Sequence, residues 1–136
     1  MDQAGHAFAD HTSEVELHLH APSLAALYAE AGHALAELML GDGPRGAETI
    51  RDEVRVTAPD RAALLAAWID ELVFRAETRK AVFTRFVVTV GDGELTAEIG
   101  GIAEPVIKTA VKAATFHGLR VVEEEGRWVA TVVLDV

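Results

Sequence analysis

The sequence predicts an α+β fold, a two-layer sandwich in which two amphipathic helices pack on one face of a largely antiparallel sheet of six or seven strands. Three observations predict it. Two long stretches repeat apolar residues at helical spacing, and shorter runs between and after them alternate with period two or are apolar throughout. Gly, Pro and Asp clusters punctuate the joins. With 136 residues and no internal repeat, linker or low-complexity tract, the chain reads as a single domain, 1–136.

Residues 1–10 read as a short lead-in. From Glu14 to His20 the pattern alternates strictly, with Val15, Leu17 and Leu19 on one face and Glu14, Glu16, His18 and His20 on the other, which is a half-buried strand. Pro22-Ser23 stops it, and Ser23 is placed to cap a helix whose stripe is Leu24, Leu27, Tyr28, Ala31, Leu35 and Leu38. His33 falls on the opposite face, and Gly41-Asp42-Gly43-Pro44 ends the helix. Thr49 to Thr57 reads as a second strand. Asp60 then caps a helix from about Arg61 to Thr78, with Leu64, Leu65, Trp68, Ile69, Leu72 and Ala76 buried and Asp70 and Glu71 outside the stripe. Val82 to Val90, the turn Gly91-Asp92-Gly93, and Glu94 to Ile99 form a hairpin. Gly100-Gly101 and Pro105 mark a loop, Ile107 to Phe116 alternates as a strand, and His117-Gly118 turns the chain. Leu119 to Val122, an acidic turn at Glu123-Glu124-Glu125-Gly126, and Trp128 to Val136 complete a meander.

Charge narrows the function. Twelve Lys and Arg face 22 Asp and Glu, a net charge of −10, whereas a phosphate-binding surface needs a basic footprint. Only Arg75, Arg79, Lys80 and Arg85 approach one, and Glu77 interrupts them, so direct nucleic-acid binding is disfavoured and a basic partner or a cation suits the surface better. No apolar run approaches the ~20 residues that span a bilayer. The first residues lack a signal-peptide pattern, and with no cysteine there is no thiolate ligand or nucleophile, which fits a cytoplasmic protein.

The final apolar run, Val129 to Val136, reads as a strand buried on both faces, interrupted only by Asp135. A buried carboxylate must be paired, hydrogen-bonded or bound to a cation; the alternative is a frayed strand with Asp135 in water. In Asp10-His11-Thr12-Ser13-Glu14 a Ser13–His11–Asp10 triad cannot close, because adjacent residues of an extended chain point to opposite faces. Glu14 is a hard oxygen ligand. Asp135 supplies a second if the two strands are neighbours, a donor set that selects calcium, magnesium or manganese over zinc. His18 and His20 share a strand face but lack a third ligand. His117 reads as a turn residue. Lys112 is either a snorkelling surface lysine or a cation placed beside the carboxylates.

Four motifs carry a family resemblance: Asp10-His11-Thr12-Ser13-Glu14-Val15, Leu64-Leu65-Ala66-Ala67-Trp68-Ile69-Asp70-Glu71-Leu72, Val111-Lys112-Ala113-Ala114-Thr115-Phe116-His117-Gly118-Leu119, and Val133-Leu134-Asp135-Val136. In order and spacing the sequence resembles the archease family, protein cofactors of the RtcB-type RNA ligase, from about Phe8 to Val136. The resemblance implies a protein that is not itself an enzyme. It implies stimulation of guanylylation and turnover of a GTP- and manganese-dependent ligase that serves tRNA splicing and RNA repair, through a transient complex. It also implies a divalent-metal site, calcium or else manganese or magnesium, held by Glu14, Asp135 and the backbone carbonyl of Val136. Lys112, with Glu14 and Asp135, is the implied ligase-activating residue. The family motif usually has Asp at the position of Glu14 and Ala at that of Ser13. From a different class comes a small metal-dependent hydrolase in which Glu14 and Asp135 hold the ion and His11 or His117 is the general base.

Overall fold

The computed structural model describes residues 3–11, 13–42 and 45–136, without the side chains of Asp10 and His11. Nine elements follow in order: β1 (Gly5–His11), β2 (Glu14–Ala21), α1 (Leu24–Leu40), β3 (Ile50–Thr57), α2 (Arg61–Arg79), β4 (Ala81–Gly91), β5 (Glu94–Ala103), β6 (Ala113–Glu124) and β7 (Arg127–Asp135). The α+β class holds, and every strand pairing is antiparallel. The strands divide into two sheets, ordered β1-β2-β7-β6 and β3-β5-β4, and both helices pack against strands of both sheets.

Local chemistry starts each helix where expected. The Ser23 hydroxyl accepts from the N–H of Ala26 at 3.1 Å, and the Asp60 carboxylate accepts from that of Ala63 at 2.8 Å. Each cap satisfies an orphan donor and stabilises its helix by ~1 kcal/mol. Gly41, at φ 64, ends α1 with its N–H on the carbonyl of Glu37 at 2.8 Å; Gly43 and Pro44 lie outside the described residues. In mid-helix, Gly32 costs about 1 kcal/mol against Ala in propensity. Its place is explained by contact, since a Cβ there would sit 2.8 Å from the ring of Phe86 on β4. The helices are also tied to each other. Fully buried Trp68 donates its indole N–H to the carbonyl of Tyr28 at 2.8 Å, and the Tyr28 hydroxyl donates to the carbonyl of Arg61 at 2.8 Å. Burial pushes the Tyr28 phenol up to about 12.

Four local expectations are corrected. The lead-in is a strand: β1 pairs along its whole length with β2, from Gly5↔His20 to His11↔Glu14. Residues 107–112 are not a strand but an irregular segment, and regular pairing begins at Ala113. His117-Gly118 does not reverse the chain. The register of β6 against β7 slips between Thr115 and Arg120, and Gly118, at φ 68, lies within that bulge. Gly100 and Gly101 likewise continue β5 and pair with β3, where the sequence suggests a loop.

Candidate functional site

The ladder that matters joins β2 to β7, where Glu14 stands directly opposite Asp135. Directly opposed residues of an antiparallel pair place their side chains on one face, with Cβ atoms roughly 4.5–5.5 Å apart. Both residues are half-buried. Among the described residues neither carboxylate has a cationic partner, so two like charges face each other unneutralised, a situation that favours a bound cation. Asp135 is thus neither sealed in the core nor frayed into water; it is the last residue of β7.

Backbone hydrogen bonds fix this corner from three directions. The Val136 N–H donates to the Ser13 carbonyl at 3.1 Å, closing β7 onto the β1–β2 turn, where Ser13 holds a left-handed φ of 59°. The Lys112 N–H donates to the Asp135 carbonyl at 2.8 Å. Two residues on, the Ala114 N–H donates to the Asp70 carboxylate of α2 at 2.8 Å, which caps the outer edge of β6. Lys112 therefore meets Asp135 through its main chain. Its ammonium pairs with no carboxylate among the described residues and does not offset the Glu14–Asp135 pair.

The donor set suits a hard divalent ion in chemistry. Two carboxylates and a backbone carbonyl at Val136 are oxygen ligands of the kind calcium, magnesium and manganese take. Among the described residues no three His, Asp or Glu side chains converge as a metal cluster.

The histidines go elsewhere. His18 and His20 are exposed on one strand face but turn to different partners. His18 Nε2 lies 3.1 Å from Glu16, and His20 Nδ1 accepts from the Arg127 guanidinium at 2.6 Å. Exposed His33 packs edge-on to Phe86, with ring centroids 5.0 Å apart. His117 sits in the β6 bulge, four residues beyond the position opposite Asp135, or roughly 13 Å along a strand. The side chains of Asp10 and His11 lie outside the described residues, and so does Thr12. One titratable group went unnoticed in the sequence, His6, whose Nδ1 is 2.6 Å from Glu30 and whose Nε2 meets Glu37, both on α1.

The fold and this corner define a small α+β protein whose strand ends bring two carboxylates face to face. A family model described as the Archease protein family (MTH1598/TM1083) matches residues 6–136, and the chain belongs to that family. It is 32% identical to protein archease of Methanopyrus kandleri, over 93% of this chain and 96% of that one. It is 30% identical to protein archease of Methanothermobacter thermautotrophicus, over 97% and 99%. The solution structure of Methanobacterium thermoautotrophicum protein 1598 superposes with a TM-score of 0.73 at 26% identity, covering 97% of this chain and 99% of that one. The crystal structure of a Thermotoga maritima archease, described as a possible chaperone, shares the fold at a TM-score of 0.68 and 17% identity, covering 94% of each chain.

Proposed function

We propose that the protein is a non-catalytic activator of a GTP- and manganese-dependent RNA ligase of the RtcB type, acting in tRNA splicing and RNA repair. The observation that carries it is the Glu14–Asp135 opposition with Lys112 bonded to the Asp135 carbonyl, in a chain of the archease family. These are the residues the family resemblance assigns to metal binding and activation. A divalent ion, calcium or alternatively manganese or magnesium, is held by Glu14, Asp135 and the Val136 carbonyl. When bound it neutralises the paired carboxylates and holds the ends of β2 and β7 together. Lys112, anchored through its N–H, presents its ammonium to the ligase during guanylylation.

A net charge of −10 accords with a partner that is protein rather than RNA. No described helix is long and apolar enough to cross a membrane, and we place the activator in the cytoplasm. The "possible chaperone" wording used for the Thermotoga maritima relative is compatible with transient action on another protein. No observation favours the hydrolase alternative, whose remaining described base, His117, is remote from the carboxylates along β6.

Substoichiometric protein should raise multiple-turnover ligation of 3′-phosphate RNA by the cognate ligase under GTP and manganese, without a lasting complex. An unchanged turnover number would contradict the proposal. Phosphoester hydrolysis by the purified protein, abolished by EDTA, would favour the alternative.

A further inference from the structure

The start of β6 has little support from its own sheet. β6 is an edge strand, and it pairs with β7 through Ala113, Ala114 and Thr115 before the register slips as far as Arg120. The segment before it, 107–112, has no regular structure. Lys112 is thus the last residue of an irregular segment, joined to a short stretch of ladder at the free edge of a sheet. So short a piece of edge ladder opens readily unless something else holds it.

A carboxylate of α2 supplies that hold. Asp70 accepts the N–H of Ala114 at 2.8 Å. Two residues earlier the Lys112 N–H donates to the Asp135 carbonyl of β7 at 2.8 Å, and the Val111 side chain before it is buried in the core. The backbone that carries Lys112 is therefore fixed at Val111, at Lys112 itself and at Ala114, whereas the Lys112 side chain is exposed.

Nothing within α2 itself asks for an acid at position 70. Asp is a poor helix former away from the first turn, and residue 70 lies in the middle of Arg61–Arg79. Its helical neighbours three and four residues away are Ala66, Ala67, Val73 and Phe74, so no local ion pair favours the charge. Glu71 beside it does meet a cation, Arg75, at 2.7 Å. What position 70 has is a rigid base, since Ile69 and Val73 on either side of it are buried in the core. A side chain on a firmly packed helix is the kind of support that holds a neighbouring functional group in place.

We propose that Asp70 is a positioning residue for Lys112: by pinning the start of β6 to α2 through the Ala114 N–H, it fixes the backbone from which the lysine projects toward the ligase. That Lys112 activates a ligase rests on the function proposed above; the hold of Asp70 on its backbone does not. Asp135 is held independently by the pairing of β2 with β7, from Glu14↔Asp135 to Ala21↔Trp128. Loosening the start of β6 therefore displaces Lys112 and leaves the two carboxylates in register.

Asp70→Ala and Asp70→Asn test it, the second keeping an acceptor oxygen without the charge, with circular dichroism as the check on folding. In ligase titrations Asp70→Ala should lower the maximal stimulated rate of guanylylation by about tenfold, within what a small misplacement of a functional group costs. The half-maximal concentration should stay unchanged, and Asp70→Asn should recover most of the rate. A maximum like wild type in Asp70→Ala would overturn the proposal. So would a raised half-maximal concentration shared by both variants, since Asp70 would then touch the ligase through its charge. Without any ligase, amide exchange at Lys112 should be about tenfold faster in Asp70→Ala, the opening that one lost hydrogen bond allows, and near wild type in Asp70→Asn. Exchange at Lys112 that Asp70→Ala leaves unchanged would overturn the positioning whatever the ligase does. A wild type that stimulates no ligase removes the activation and not the hold on Lys112, which the exchange rates then decide.

Discussion

The N–H of Lys112 donates to the carbonyl of Asp135 at 2.8 Å, which links a lysine whose ammonium has no carboxylate partner among the described residues to Asp135 through the main chain rather than through an ion pair. A side-chain substitution at 112 therefore leaves that bond in place. We predict that Lys112→Ala folds like wild type, within about 0.5 kcal/mol as for most surface changes, and loses its power to stimulate the ligase. Denaturant unfolding and ligation assays on the same preparation check both halves.

The Glu14–Asp135 pair predicts a thermal shift with divalent ions. At an ion concentration ~100 times the dissociation constant, stability rises by about 2.7 kcal/mol, a shift in Tm of roughly 2–8 °C for a domain of this size. Asp135→Asn should abolish the shift seen with calcium or manganese, and Glu14→Asp should keep it. A full shift in Asp135→Asn would move the site elsewhere, with His18 and His20 the first residues to test.

Asp70 is exposed yet accepts the Ala114 N–H at 2.8 Å. Asp70→Ala should cost about 1 kcal/mol, the usual net worth of such a bond, and speed amide exchange at Ala114. Asp70→Asn keeps an acceptor oxygen and should recover most of the loss.

His6 ties β1 to α1, and both ring nitrogens face carboxylates, so the clamp is complete when the imidazole is protonated. Burial pushes its pKa down, but the hydrogen bonds and charges of Glu30 and Glu37 outweigh this and raise it above 6.5. The sign follows from linkage: stability from His6 is fully present below pH 6.5 and is lost as pH rises through the raised folded value. Unfolding free energies measured across that window should fall with pH in wild type, and less steeply in His6→Gln.

Both helices could be read from the sequence because their signals are local. Ser23 and Asp60 sit three residues before the N–H groups they cap, and the Trp68 stripe repeats within one element. β1 could not. Its inward residue His6 is polar, its Ala7 and Ala9 give no period-two contrast, and the acids that satisfy His6 lie 24 and 31 residues away. Segment 107–112 alternates like a strand, but its N–H groups at Lys108 and Thr109 go to the Met39 carbonyl, a helix-end acceptor that no sequence window contains. At the site, Glu14 and Asp135 could be named as hard ligands, yet only the register of β2 on β7 brings them opposite each other. The main-chain route from Lys112 to Asp135 leaves no trace in residue type.

Single-turnover guanylylation of the cognate ligase, with GTP and manganese and with or without this protein, tests the proposed activation most directly. We predict that wild type and Glu14→Asp accelerate formation of the ligase–GMP adduct, and that Lys112→Ala and Asp135→Asn leave it at the rate of the ligase alone. A rate that wild type does not change, or that Lys112→Ala raises as much as wild type does, would contradict it.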